Sequence, residues 1–315
     1  MDPRGFVGHP TTARAYAAAR MPATYAAVAR AALEGARSLP GFAPRSLLDA
    51  GAGTGAATWA AGAVWPSLDD VALVEREPAM VELGRRLVAS ASASISAGPP
   101  GALGGARWLS ADLASADSLP VADLVVATYL LGELDESARS GVVDRLWAAT
   151  RGAVLLVEPG SRAGYERILA ARDRIMTAGG LVAAPCPGNV PCPIREPAWC
   201  HFLARLDRSP LQRRTKRAER SWEDEPYAYV VVVRPARAAD FGLRPAPRLV
   251  LGRPRRRPGR VELRVCADGR IDTVVRSRRD GAAYRAAVDL AWGDRHEDPG
   301  DVGERDVRAR PRVSG

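Results

Sequence analysis

The sequence predicts an α/β protein, a doubly wound sheet followed by a Cys-containing, β-rich basic region. Three observations predict it. Short apolar runs alternate with Ala-rich helical stretches through about residue 160. A glycine-rich turn, Asp49 to Gly55, joins the first such run to a helix. Later, YAYVVVV, RLVLG, RVELRVCADG and RIDTVVRS alternate like antiparallel strands.

The elements follow in order. TTARAYAAAR and ATYAAVARAALEGARSL read as helices, with Pro22 at a helix start and Pro40-Gly41 as a stop. SLLDA is a strand entering the glycine turn, and AATWAAGAVW is the helix that turn opens. VALVE is the second strand, and PAMVELGRRLVASA a helix opened by Pro78. SASISAGPPGALGGA is rich in small residues and predicts a surface loop. ARWLSADL, DLVVATYLL and AVLLVEPG supply the third, fourth and fifth strands, with ESARSGVVDRLWAAT a helix between the last two. GYERILAARDRIMTAG is a helix leading into a segment rich in Pro and Cys. The end, GDRHEDPGDVGERDVRARPRVSG, has almost no large apolar groups and predicts a disordered tail.

At 315 residues, with 47% hydrophobic and 26% charged side chains, the chain has the balance of a globular protein of about two domains. No apolar run approaches the ~18–20 residues that a membrane helix needs, so no membrane partner is expected. MDPRGFVGHP is not a charged stretch followed by an apolar one, and a cytoplasmic location is expected. Of the 45 cationic side chains only Lys216 is a lysine, so a bare Arg count says little. Their position says more. Residues 1–160 carry 13 basic and 16 acidic side chains, whereas residues 161–315 carry 32 and 20. That asymmetry predicts an anionic partner on the second half. One cluster holds Arg205, Arg208, Arg213, Arg214, Lys216, Arg217 and Arg220; another runs from Arg244 to Arg264 and includes Arg255, Arg256 and Arg257. Solvated faces and phosphate contacts with RNA both fit, and the second makes affinity salt-dependent.

Gly51, Gly53 and Gly55 let the backbone turn tightly and approach a ligand, with helix N–H groups facing it. The glycines alone also fit a dinucleotide pattern. The acids around them discriminate. Asp49 is placed to meet a cationic amino-acid moiety, Glu75 to accept two ribose hydroxyls, and Asp112 to accept an adenine amino group. Together they resemble the cofactor site of class I S-adenosylmethionine-dependent methyltransferases. An α/β domain without ligand and a nicotinamide-cofactor enzyme are the alternatives.

All four cysteines lie in the second half: Cys186, Cys192, Cys200 and Cys266. In a cytosolic protein structural disulfides are not expected. Pro187 and Pro193 stiffen the loop after the first two. One four-thiolate site would use every cysteine in the chain. The spacing lacks the C-x2–4-C knuckle usual for zinc and leans toward a [4Fe–4S] cluster, with zinc and unliganded buried thiols as alternatives.

The segment APCPGNVPCPIREPAWCHFLARLDRSPLQRRTKRAERSWEDEPYAYVVV resembles the methyltransferase-like assembly factors of the small ribosomal subunit, a family of mitochondria and bacteria. RMPATYAAV, LLDAGAGTGAATWA, YLLGEL, LVEPGSRAGYERILAARDRI, VCADGRI and AWGD resemble its other blocks, so the likeness spans about residues 20–294. It implies a [4Fe–4S] cluster on Cys186, Cys192, Cys200 and Cys266, binding to small-subunit rRNA during maturation, and a role in translation. No DNA partner is expected. The family commonly has His after the first Cys-Pro, where this chain has Gly188; His201 stands beside Cys200. Four protein thiolates leave no open iron for substrate, so the cluster is expected to be structural. The expected organisation is an N-terminal helical segment (1–40), a Rossmann-like S-adenosylmethionine-binding domain (41–180), an iron–sulfur and RNA-binding domain (181–292) and a tail (293–315).

The acceptor chemistry has no clear signature. No Cys precedes residue 186, which excludes a cytosine-C5 enzyme with its cysteine nucleophile. A single lysine excludes a Lys-Asp-Lys-Glu ribose methyltransferase. Thr128-Tyr129-Leu130-Leu131 stands where adenine-N6 enzymes show an Asn/Asp-Pro-Pro-aromatic turn. Tyr129 can stack on a base or serve the core, and Glu133 can orient an acceptor or end the strand. An rRNA methyltransferase, a non-catalytic RNA-binding assembly factor and, less favoured, a small-molecule methyltransferase are the resulting functional readings.

Overall fold

The computed structural model describes residues 9–94 and 101–297. Helix α1 (Pro10–Ser38) is followed by β1 (Ser46–Ala50), α2 (Ala56–Val64), β2 (Asp70–Val74), α3 (Pro78–Ser94), the short α4 (Gly101–Gly104), β3 (Arg107–Leu109), β4 (Ala122–Thr128), α5 (Glu136–Ala149), β5 (Thr150–Pro159) and α6 (Arg162–Thr177). The second half contains β6 (Leu181–Ala184), β7 (Phe202–Asp207), α7 (Pro210–Lys216), β8 (Trp222–Val233), α8 (Pro235–Ala238), β9 (Leu249–Val250), β10 (Arg255–Arg257), β11 (Arg260–Ala267), β12 (Arg270–Ser277) and α9 (Ala282–Asp289).

The larger sheet has eight strands in the order β3-β2-β1-β4-β5-β8-β6, with β7 also paired to β8. β1 to β5 are mutually parallel, and β8 runs antiparallel to β5, β6 and β7. This is the doubly wound sheet of the class I methyltransferase fold. Its central strands are buried on both faces, which is why SLLDA, DLVVAT and AVLLV read as continuous apolar runs. On one face α1 and α2 cover Leu47, Val126, Leu155 and Val231. On the other, Val143 and Leu146 of α5 and Ile168 and Ile175 of α6 cover Leu48, Val125, Leu156 and Val230. A four-stranded antiparallel sheet, β10-β11-β12 with β9 on β11, buries Val261, Leu263 and Val265 near α9.

Three details differ from the sequence reading. The two expected N-terminal helices are one, with Pro22 inside it. A proline there forfeits one helical N–H bond, but α1 buries Ala13, Ala17, Ala23, Ala27, Val28 and Ala31, and that face outweighs one lost bond. The boundary expected at residue 180 falls inside the larger sheet, because β6, β7 and β8 complete it. The tail expected from residue 293 does not begin there. Arg295 bridges to Leu249 and His296 is buried, so residues 293–297 belong to the fold. Residues 298–315, the rest of that tail, and residues 95–100 of the expected surface loop lie outside the described residues; the loop's 101–104 portion forms α4.

Candidate cofactor cleft and cysteine site

In the larger sheet the strand order reverses between β1 and β4. Ligands of such sheets bind outside the carboxyl ends of the strands at that reversal. A cleft of about 710 Å³ lies there, lined by Gly51, Gly53, Glu75, Asp112, Tyr129, Glu133 and, from α1, Tyr16, Met21 and Thr24. Gly51 and Gly53 hold φ of +73° and +55°. A Cβ on Gly51 would stand 2.9 Å from Leu130 Cδ1, so a side chain there would have to push Leu130 aside and hold a left-handed backbone as well. The Gly51 and Ala52 N–H groups both donate to Val74 O, which pins the turn to β2.

The predicted cofactor residues divide. Asp112 lines the cleft, and its Oδ1 accepts from Ala114 N at 2.9 Å. Glu75 also lines it, but its carboxylate braces the turn: Oε2 accepts from Gly53 N at 2.7 Å and Oε1 from Glu77 N at 2.9 Å. A carboxylate offers about four acceptor sites, so Glu75 keeps capacity for ribose hydroxyls. Asp49 does not line the cleft. It is fully buried, and its Oδ2 accepts from Thr58 N (3.1 Å) and Thr58 Oγ1 (2.7 Å), capping α2 from β1. Its contact with a cationic moiety is therefore not direct. Desolvation pushes its carboxyl up to about 7, against the opposing hydrogen bonds from Thr58. Gly55 (φ +87°) likewise faces away, toward Leu73 and Trp108.

The acceptor side carries residues that sequence reading missed. Tyr129 has φ +56°, and its hydroxyl donates to Glu225 Oε1 at 3.2 Å. Arg20 of α1 grips the same Glu225 through both terminal nitrogens, at 2.8 and 3.3 Å. Tyr129 is thus tied between α1 and β8, with its phenol pushed up by burial and by the Glu225 charge. Glu133 sits exposed in the cleft; partial desolvation, then the charge of Glu75, raises its carboxyl. Glu158, 1% exposed, accepts from Leu131 N (2.8 Å) and Arg167 Nε (2.7 Å) and so fixes the YLLGEL turn after β4. An acid just before Pro-Gly at the end of the fifth strand was the available signal for Glu158. Arg20 and Glu225, 205 positions apart, gave none.

All four cysteine thiols line one apolar cavity of about 50 Å³, and none forms a disulfide. Cys186, Cys192 and Cys200 come from the loop between β6 and β7, and Cys266 from β11 of the smaller sheet. Desolvation pushes Cys186 up to about 11, Cys266 up to about 12 and Cys200 well up. Each is also raised by the neighbouring thiols, a sign that these sulfurs share one environment. Tyr165 Oη lies 3.2 Å from Cys192 Sγ. Arg172 lines the cavity with a side chain 3% exposed; it donates to Asp173 Oδ1 and Val190 O, lowers the Cys186 thiol, and leaves its Nε without a partner. Among the described residues, no three His, Cys, Asp or Glu side chains converge on a point as one metal ion requires. The sulfurs surround a space instead.

The basic clusters are only partly free. Arg205 forms a bidentate pair with Asp224 and stacks 4.1 Å from the Trp222 ring. Arg208 and Lys216 both pair with Glu223, at 2.8 and 2.6 Å, and are 16% and 20% exposed. These three are paired within the β7–β8 connection, with the Arg205 side chain still 61% exposed. Arg213, Arg214 and Arg217 instead line an open depression on α7. β10 consists of Arg255, Arg256 and Arg257, all exposed, with Arg256 spent on the carbonyls of Val288 and Leu290.

The family model described as mitochondrial small ribosomal subunit Rsm22 matches residues 10–297. The chain belongs to the Rsm22 family. The human ribosome assembly protein METTL17, mitochondrial, is 33% identical over 301 residues, covering 89% of this chain. The chain spans 61% of that relative's length. Solved structures that it resembles include precorrin-6y C5,15-methyltransferase from Geobacter metallireducens (14% identity, 64% of this chain and 88% of that one, TM-score 0.40). Another is magnesium protoporphyrin IX methyltransferase from Synechocystis with bound S-adenosylmethionine (17%, 72% and 80%, TM-score 0.37). For this Rsm22-family chain the strand order, rather than these overlaps, defines the fold.

The buried carboxyl of Asp49 gives a pH prediction. Its folded value of about 7 lies above its unfolded one, so the folded state binds the extra proton between them. Its contribution is full at low pH and fades as pH rises through about 4–7. Thermal melts across that range should show the wild type losing up to about 4 kcal/mol that Asp49→Asn does not lose; parallel curves would refute the assignment.

Proposed function

We propose that this chain is an S-adenosylmethionine-binding, methyltransferase-like assembly factor that binds small-subunit rRNA, with a structural [4Fe–4S] cluster on Cys186, Cys192, Cys200 and Cys266. The observation that carries this reading is the meeting of four thiols, three from the β6–β7 loop and one from β11 of the smaller sheet, around one cavity. A buried guanidinium with an orphan N–H beside it fits an anionic occupant, as a thiolate-ligated cluster is. Against zinc stands the spacing, which lacks the C-x2–4-C knuckle usual for that ion. When bound, the cluster supplies cross-linking of the β6–β7 loop to β11. Arg172 offsets its charge, Tyr165 holds Cys192, and Pro187 and Pro193 stiffen the loop. Four unpaired cysteines suit a reducing compartment, and the cytoplasm is the proposed location.

In the cleft, Gly51 and Gly53 admit the cofactor close to the backbone, and Glu75 and Asp112 supply acceptors for its hydroxyl and amino groups. The methyl donor arrives activated, so transfer needs chiefly positioning of an acceptor. A second reading, assembly without methyl transfer, is favoured by one observation. The Tyr129 hydroxyl, the polar group of the turn after β4, is committed to Glu225, which Arg20 also holds, and so is not free to orient an acceptor or take its proton.

Anaerobic purification with iron and acid-labile sulfide analysis tests the cysteine site. We expect about four irons and four sulfides per chain. Cys266→Ser should lose them and melt at lower temperature, since ligand binding supplies folding free energy; Arg172→Met should lower iron retention with all four thiols intact. Zinc in place of iron, or metal-free protein of unchanged stability, would refute the cluster. Calorimetry with S-adenosylmethionine should give binding to the wild type and a loss of roughly tenfold or more in Glu75→Ala, where about 1.4 kcal/mol corresponds to tenfold. Equal affinities would remove Glu75 from the site. For RNA, replacing Arg213, Arg214 and Arg217 together by Gln should reduce the slope of log affinity against log salt by about 2–3, at ~0.7–0.9 per phosphate contact. An unchanged slope would place the RNA elsewhere.

A further inference from the structure

We propose that a pocket formed by Trp199, His201, Trp292 and Arg264 binds one unpaired nucleobase with its phosphate. This rests on the RNA-binding reading above and names a site for it. The pocket, about 130 Å³, lies on the outer side of the cysteine loop, where Cys200 lines both cavities. His201 is held between two indoles. Trp199 stacks on it at 5.5 Å and 25°, and Trp292 meets it edge-on at 4.4 Å and 72°.

Trp199 does not behave as a core residue. The residue is 38% exposed, one of few large apolar residues so placed among the described residues. It is nevertheless fixed, because Nε1 donates to Gly160 O at 2.9 Å. An indole whose polar edge is satisfied and which keeps more than a third of its residue surface exposed suits stacking. Unpaired bases are recognised by such aromatic platforms, and every base has a face to offer. Paired bases hide theirs in the duplex.

Charge chooses the occupant. The lining contains one cation, Arg264, and no acid. Arg264 is exposed on β11, two residues before Cys266, and makes no side-chain hydrogen bond or ion pair among the described residues. A guanidinium beside an aromatic shelf fits a nucleotide, base on the rings and phosphate on the cation. The space is too small for a helix and carries no acceptor for a cationic peptide. Trp199 and His201 flank Cys200, and Arg264 precedes Cys266, so cross-linking the cysteines also fixes the walls of this pocket.

The test uses the full chain, purified anaerobically, with fluorescently labelled RNA of about 12 nucleotides, single-stranded or as a duplex of the same sequence. Trp199→Ala should weaken single-strand binding about 5–100-fold and leave duplex binding within about twofold; Trp199→Phe should retain most of the affinity. Arg264→Gln, at an exposed position, should weaken single-strand binding several-fold and lower the salt slope by about 1. It carries the test if Trp199→Ala loses iron or unfolds. Photocrosslinks should map to the peptides containing Trp199 or Trp292. Equal losses for single strand and duplex, no loss in Arg264→Gln, or crosslinks confined to α7 would overturn the pocket while leaving RNA binding intact. A wild type that binds neither RNA would overturn both.

Discussion

Strand β8 connects everything of functional interest in this molecule. Residues 227–233 are buried between β5 and β6, so the strand cannot shift without opening the sheet. Its first residues emerge beside β7, and there Glu223, Asp224 and Glu225 act as three anchors. Glu223 holds Arg208 and Lys216, Asp224 holds Arg205, and Glu225 holds Arg20 of α1 and the hydroxyl of Tyr129. Farther along, Ala228 and Tyr229 form part of the cysteine cavity. One strand therefore fixes the roof of the cofactor cleft, the basic hairpin and a wall of the sulfur site. The acids that interrupt the basic segment are what give that segment a shape.

The cysteine cavity poses an electrostatic problem with few solutions. Thiols held this deep resist ionisation, and each charged neighbour makes the next harder to form. Left protonated, they form an apolar lining. Ionised, they require a cation among them. Arg172 contributes one positive charge, already shared with Asp173 and too little for four thiolates. The same burial that disfavours bare thiolates strengthens their attraction to a metal centre. The loop carrying three of them contains five prolines among residues 185–197, which lowers the entropy lost when it is fixed.

Much of this was legible in the sequence, for identifiable reasons. Parallel strands buried on both faces announce themselves as apolar runs, and the glycine turn has few alternatives once its φ values are required. The cysteines could be grouped because they were so few. Failures arose where tertiary contact overrode local pattern. Pro22 marked a helix start, yet the packed face of α1 carries the helix through it. FLARLD and LVAA are short and follow or precede Pro-rich stretches, so nothing local marked them as sheet members; pairing with β8 does. Asp49 stood at the position expected of a ligand contact, but strand β1 points it inward, where Thr58 claims it. Acid and base that meet across long separations, such as Arg20 and Glu225, leave no periodic trace.

The fate of the positive charge shows why a count of arginines misleads. The second half holds a large excess of cations, but Arg205, Arg208 and Lys216 are consumed by carboxylates and Arg256 by carbonyls. Of the nine residues expected to meet RNA, Arg214, Arg217, Arg255 and Arg257 make no side-chain hydrogen bond or ion pair among the described residues, and Arg213 makes one long one, to Glu219 O at 3.4 Å. Five phosphate contacts attract any nucleic acid and distinguish none. A factor that must find one place on a large RNA therefore needs contacts of another kind, to shape or to exposed bases. Rigid aromatic surface near the free cations is the chemistry that supplies them, and here it is built onto the same loop that brings the sulfurs together. In the proposed RNA complex, fixing that loop would therefore act on the discrimination of unpaired from paired bases, beyond what the phosphate contacts supply.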